Sequence, residues 1–202
     1  NPIGLYSHRL EVDLYLILAR LSCLQSLSRS ISQAGCDVKE IFPSGLVTSG
    51  ICLTPAMKEG ITVFCDVGAD ITEIVVFKNG SLTKVSNFSF GGNMITLELS
   101  KTIGIPFDLA EEVKKSYASI QNPSSRVSSK EILIKRDNIY KPVELKLIVE
   151  IATAESARLL EEINDKVLSS LEKEQVTNFV FYGRTVLMDG FLEMAEQALG
   201  VP

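Results

Sequence analysis

Apolar positions recur along the chain with two rhythms, a period of two and a spacing of three to four, and the switches between them predict an α/β order of elements. Residues 9–19 alternate, with Leu10, Val12, Leu14 and Leu16 on one face, and read as a strand. The apolar run within it, from Leu14 to Ala19, is broken by Arg20 and is too short to span a bilayer, so it fits a buried strand. Leu21, Leu24, Leu27, Ile31 and Ala34 then give helical spacing, with Ser22 as a candidate cap and Gly35 suited to a left-handed end. Residues 38–42 read as a short strand, and 45–53 as a short helix closed by Pro55.

Three strands follow over 61–66, 71–77 and 82–90. The first two are joined at Asp66-Val67-Gly68-Ala69 and the last two at Lys78-Asn79-Gly80, where Asn-Gly is a strong hairpin signal. Gly91-Gly92 leads into a helix over 94–102. Pro106-Phe107-Asp108 opens another to about Ile120, with Asp108 and Glu111 spaced as a capping box. Residues 122–130 read as a flexible loop and 132–134 as a strand. Residues 143–171 carry helical spacing, with two helices broken near Thr153 as one reading. A strand over 176–182, a tight turn at Gly183 and a helix over 190–199 complete the series.

Composition narrows the class. The 202 residues suffice for one large domain or two small ones, and 25 acidic against 20 basic residues leave a net charge of −5 without a dense basic patch, which argues against nucleic acid as a partner. Cys23, Cys36, Cys52 and Cys65 are widely spaced in apolar contexts with only His8 as a histidine partner, so they read as buried free thiols of a reducing compartment rather than zinc ligands. The chain starts at Asn1 with neither an initiator Met nor a signal peptide and reads as part of a longer protein.

Candidate chemistry concentrates at 60–77 and after Phe90. A glycine at a strand-turn tip lets backbone amides approach phosphate oxygens, and a carboxylate ending a buried strand can hold Mg²⁺ through water. An Asp-x-Gly turn serves equally as plain punctuation. The glycine-led helix after Phe90 can hold an anion at its N-terminus, or can simply be a packed helix after a loop.

In order and spacing, several segments together resemble the C-terminal half of the actin-like ATPase superfamily. They are Asn1-Pro2-Ile3-Gly4-Leu5 with Arg9-Leu10-Glu11-Val12, Gly45-Leu46-Val47-Thr48-Ser49, Asp66-Val67-Gly68, Phe90-Gly91-Gly92-Asn93-Met94-Ile95-Thr96 and Ala110-Glu111-Glu112-Val113-Lys114. The wording is most similar to the bacterial cell-division family FtsA. The resemblance implies an α/β fold: an actin-like, ribonuclease H-like second lobe with a smaller inserted α+β subdomain. Residues 1–20 would end a family-specific inserted domain. Residues 21–104 with 176–202 would form the larger subdomain, and 105–175 the smaller one.

The same resemblance implies ATP and Mg²⁺ as cofactors. Asp66 and Gly68 match the second phosphate loop, with Asp66 beside the metal, while Ala69, Asp70, Ile71 and Glu73 depart from the family pattern. A carboxylate at Asp70 would repel a γ-phosphate. Gly91 and Gly92 match the glycine pair beside the phosphates. Glu111 and Lys114 match a pair that reaches the ribose, although capping and an exposed helix face explain them as well. Gly183 and Gly190 match the adenine-side motif, and Arg184 stands where a second glycine is usual. Near Pro43-Ser44-Gly45 no carboxylate is available to orient water, so no catalytic residue is assigned and hydrolysis would be slow at most.

The implied function is that of an adaptor in the cytoplasm, at the inner face of the membrane at the division septum. It would bind the C-terminal tail of FtsZ through 105–175 and self-associate into filaments. The first phosphate loop and the helix that contacts the membrane would both lie outside this chain. An active Mg-ATPase that switches filament assembly, and an actin-like adaptor of type IV pilus assembly, are the alternatives.

Overall fold

The nearly unbroken apolar run Ile61-Thr62-Val63-Phe64-Cys65 marks a strand covered on both faces. In the computed structural model of the chain it lies inside a mixed four-stranded sheet. The structure describes residues 4, 6, 8–12, 14–120, 130–136, 139–169, 171 and 176–200. Except for Lys130, the loop expected over 122–130 lies outside them. The chain divides into two compact units, Asn1–Phe42 and Pro43–Pro202.

In the first unit the regular element among the described residues is helix α1 (Leu21–Gln33), followed by Gly35 at φ +84°. Arg20 rather than Ser22 occupies the cap position, and no side chain caps the helix. Among the described residues no strand forms over 9–19 or 38–42, where strands were expected, and Leu10, Val12, Leu14 and Leu16 are exposed. The reason is pairing. Alternation supplies an apolar face, but a strand also needs a neighbour for its amides and carbonyls, and every strand described pairs within the second unit.

In the second unit β1 (Ile61–Val67) runs antiparallel to β2 (Thr72–Lys78), and β2 antiparallel to β3 (Ser81–Phe88). Asn79 at φ +50° and Gly80 at φ +80° make the tight β2–β3 turn that Asn-Gly predicts. β6 (Asn178–Tyr182) lies parallel to β1 on its other side, giving the order β3-β2-β1-β6. One face of β1 carries Val63, Cys65 and Val67, packed with Leu159, Leu160, Ile163, Phe191 and Ala195. The other carries Phe64, packed with Val75, Phe77 and Leu53 beside α2 (Ser44–Cys52). Phe64 and Phe191 are fully buried, each contributing about 1.5–3 kcal/mol by the usual transfer scale.

A second core lies between α3 (Gly92–Ile103), α4 (Phe107–Tyr117) and the hairpin of β4 (Glu131–Arg136) and β5 (Ile139–Glu144), built on Ile95, Leu99, Val113, Ile134 and Val143. α5 (Leu145–Leu168) serves both cores, with Ile148 and Ala152 in this one and Leu159 and Ile163 against the sheet. It is one continuous helix. The break expected near Thr153 is a change of packing partner, not of backbone. α6 (Phe191–Leu199) closes the sheet-side core.

The expected cysteine burial holds for one thiol: Cys65 is buried, while Cys23, Cys36 and Cys52 are exposed. All four are free, and burial pushes the Cys65 thiol far above its ordinary range. An apolar sequence context did not secure burial for the other three: Cys23 lies on α1, which has no buried residue, Cys36 in the irregular segment after it, and Cys52 at the end of α2. Among the described residues no helix is long and apolar enough to cross a membrane.

Candidate functional site

Where β1 ends, the Gly68–Ile71 turn closes through the Gly68 N–H donating to the Ile71 carbonyl at 3.0 Å. Gly91 lies directly on that turn. A Cβ there would stand 2.5 Å from the Gly68 carbonyl oxygen and 2.6 Å from that of Ala69, so the position demands room rather than a special backbone angle. The next two amides continue the contact: Gly92 N–H donates to the Gly68 carbonyl at 3.0 Å and Asn93 N–H to that of Ala69 at 2.7 Å. Of the two readings of the start of α3, a packed helix is the one these bonds favour, because the turn's carbonyls occupy its first donors. The amides of Ala69 and Asp70 have no acceptor among the described residues. Asn93 Nδ2 donates to Asp70 Oδ1 at 2.7 Å, which ties the carboxylate that departs from the family pattern.

Gly183, at φ +107°, follows β6, and a Cβ on it would run into the Val67 carbonyl. Arg184 is exposed, and its guanidinium has no partner among the described residues. Between this turn, the β1 end and α3–α4 lies a cleft of about 990 Å³. Asp66, Gly68, Gly92, Glu111, Lys114, Gly183 and Arg184 line it, and Gly91 packs on its turn. Gly190 is not among the lining residues. At φ +83° it meets the Ile120 carbonyl and shapes the entry to α6, where Ile120 N–H donates to the Asp189 carbonyl at 2.7 Å.

Glu111 and Lys114 sit one helical turn apart on α4. Lys114 Nζ donates to the Gly92 carbonyl (2.9 Å) and Thr96 Oγ1 (2.8 Å) and pairs with Glu111 Oε2 (2.6 Å). Thr96 Oγ1 donates to the same carboxylate at 2.5 Å, and Lys115 approaches its other oxygen at 3.3 Å. Burial works to raise the Glu111 pKa, but the bonds from Lys114 and Thr96 outweigh it and hold the carboxyl below its ordinary range. The capping box expected of Asp108 and Glu111 does not form. The helix begins two residues earlier, with Pro106 at the cap position, and Glu111 turns to Lys114.

Asp66 lies across the strand pair from Glu73, whose Oε2 accepts a 2.6 Å bond from Ser44 Oγ. Partial burial, with the Glu73 charge adding to it, pushes the Asp66 carboxyl above its ordinary range. Such a carboxylate gains from a nearby cation. Among the described residues no group of three or more metal-ligating side chains exists. The expectation that no carboxylate stands near Pro43-Ser44-Gly45 is corrected: Glu73, noted in the sequence only as a departure from the family pattern, places its carboxylate there, because the β1–β2 pairing sets it across from Asp66 and Ser44 Oγ donates to it. Thr185, on the 3-10 turn Thr185–Leu187, presses on Gly92, and no local pattern announces it.

The chain has known relatives. Residues 63–202 match the family model for cell division protein FtsA. The chain is 28% identical over 209 residues to the cell division protein FtsA of Neisseria meningitidis serogroup B, covering 100% of this chain and 50% of that protein. It thus spans about half the length of the relatives it matches. Among solved structures it resembles MreB5 of Spiroplasma citri bound to ADP, with a TM-score of 0.67 at 15% identity over 91% of this chain and 60% of that one. It also resembles the PilM–PilN type IV pilus biogenesis complex, with a TM-score of 0.64 at 16% identity over 91% of this chain and 47% of that one. At such identities these two establish the fold, which is actin-like. The match to the family model over most of the chain settles the rest: the chain belongs to the FtsA family of cell division proteins.

Proposed function

We propose that the chain forms one wall of a weak nucleotide cleft in an FtsA-type division adaptor. In this reading the unused amides of Ala69 and Asp70 meet phosphate oxygens, and Asp66 faces a hydrated Mg²⁺. The observation that carries it is the gathering of Asp66, Gly68, Gly91, Gly92 and Gly183 around one cleft, from parts of the sequence more than a hundred residues apart. The ADP-bound MreB5 structure supports a nucleotide as occupant, since it shares the fold. Bound nucleotide serves assembly in this reading.

Family membership supports the remaining parts of the proposal: self-association into filaments, and capture of the FtsZ C-terminal tail by the smaller subdomain around α4, the β4–β5 hairpin and the first half of α5. A membrane contact comes from a segment outside this chain and holds the protein at the division site. The recognition step is tested by fluorescence anisotropy of a labelled FtsZ tail peptide titrated with the intact protein. Saturable binding that unlabelled tail displaces is the expected result. A flat titration with a folded sample contradicts the adaptor reading.

A further inference from the structure

The tip of the β1–β2 hairpin, residues 66–73, carries three carboxylates and no basic side chain. Asp66 and Glu73 face each other across the strand pair, and Asp70 lies in the turn between them. Asp70 is exposed, but its side chain is held. Asn93, which lines the cleft from the first turn of α3, donates through Nδ2 to its Oδ1 at 2.7 Å. The bond keeps the Asp70 carboxylate beside the cleft. Lys114, which lines the same cleft, is already engaged by Glu111, Thr96 and the Gly92 carbonyl.

The residue that carries this charge also offers a backbone donor, since the Asp70 N–H has no acceptor among the described residues. A phosphate oxygen that accepts from it lies roughly 5 Å from the carboxylate of the same residue, because both groups hang on one Cα. Two like unit charges at roughly 5 Å weaken association about fourfold in bulk water, and more where water is displaced. The amide gives the same bond to any phosphate, whereas the repulsion grows with the charge of the phosphate chain. A triphosphate carries more negative charge than the diphosphate of the same nucleoside.

Resting on the nucleotide reading above, we propose that Asp70 is a specificity-determining residue: held by Asn93 beside the free Ala69 and Asp70 amides, its carboxylate weights the cleft towards a nucleoside diphosphate and against the triphosphate. Because Asp70 departs from the family pattern, the bias belongs to this chain.

Calorimetric titration of the intact protein with Mg-ADP and with Mg-AMPPNP, a triphosphate analogue that resists hydrolysis, tests this in the wild type, Asp70→Asn and Asp70→Gly. Asp70→Asn removes the charge and keeps an oxygen for Asn93. Both substitutions are expected to tighten AMPPNP relative to ADP by about fourfold or more at low salt, with a smaller gain at high salt. Asp70→Gly guards against the new amide donor that asparagine brings, and circular dichroism checks that each variant is folded. If the ratio of the two affinities is unchanged in both variants, the role given to Asp70 is wrong while the nucleotide reading stands. If ADP and AMPPNP tighten equally, the charge acts on the phosphates they share and the selectivity is wrong. A gain confined to Asp70→Asn would assign the effect to the added donor and overturn the role of the charge. If no form binds either ligand, the nucleotide reading and this inference fall together.

Discussion

Gly183→Ala is expected to destabilise the protein by about 3 kcal/mol or more, seen as a lower urea midpoint with an unchanged slope. Two costs combine. Alanine at φ +107° occupies backbone space that L-residues rarely adopt, costing on the order of 1–3 kcal/mol. Its methyl also meets the Val67 carbonyl, and relieving that overlap by shifting backbone costs about 1–3 kcal/mol more. Gly80→Ala separates the two, since Gly80 has φ +80° but nothing within 4 Å of an added methyl. It should cost only about 1–2 kcal/mol. Equal losses at the two positions would mean that the packing of the Gly183 turn on the end of β1 is not what the sequence protects there.

Replacing Lys114 by Met is the second large effect, because one ammonium group satisfies three acceptors on two helices. Its side chain is only 14% exposed, and removing it takes the nearest cation from the Glu111 carboxylate, which keeps Thr96 Oγ1 and the more distant Lys115, and a donor from the Gly92 carbonyl. A loss of about 2–4 kcal/mol is expected near neutral pH, in line with removal of one partner of a poorly solvated pair. The pH dependence identifies the cause. Glu111 has its folded pKa depressed, so its contribution is fully present above the unfolded value of about 4.3 and is lost as pH falls through the lower folded value. The penalty of Lys114→Met should therefore be largest near neutral pH and shrink in acid, as Glu111 protonates in both proteins. Urea unfolding of both proteins across that range provides the check. A penalty that stays constant would assign the loss to packing of the lysine stem instead.

The sheet and its turns were legible in the sequence because each rests on local chemistry. β-branched runs mark β1 and β2, and Asn79-Gly80 supplies the two positive φ angles that a tight hairpin needs. The helices α3 to α6 followed from apolar spacing in the same way. What failed depends on distant partners. Residues 9–19 alternate as a strand should, but among the described residues none of them joins a sheet, and the exposed Cys23, Cys36 and Cys52 share the apolar context of buried Cys65. The site was legible as a set of glycines, since close backbone approach requires them wherever it occurs. Its electrostatics were not. Glu73 reaches Asp66 across a strand pair, Asn93 ties Asp70 across two elements, and the carbonyls of the β1–β2 turn consume the amides that a sequence assigns to an anion.

The most direct test of the central claim is amide hydrogen exchange of the intact protein with and without millimolar Mg-ADP. Slower exchange at Ala69 and Asp70, together with the Gly183–Leu187 turn, is the predicted result, because both segments line the cleft and the Ala69 and Asp70 amides have no acceptor among the described residues. Unchanged exchange at both segments with the protein folded, or protection confined to a different surface, would contradict the assignment of this cleft to a nucleotide.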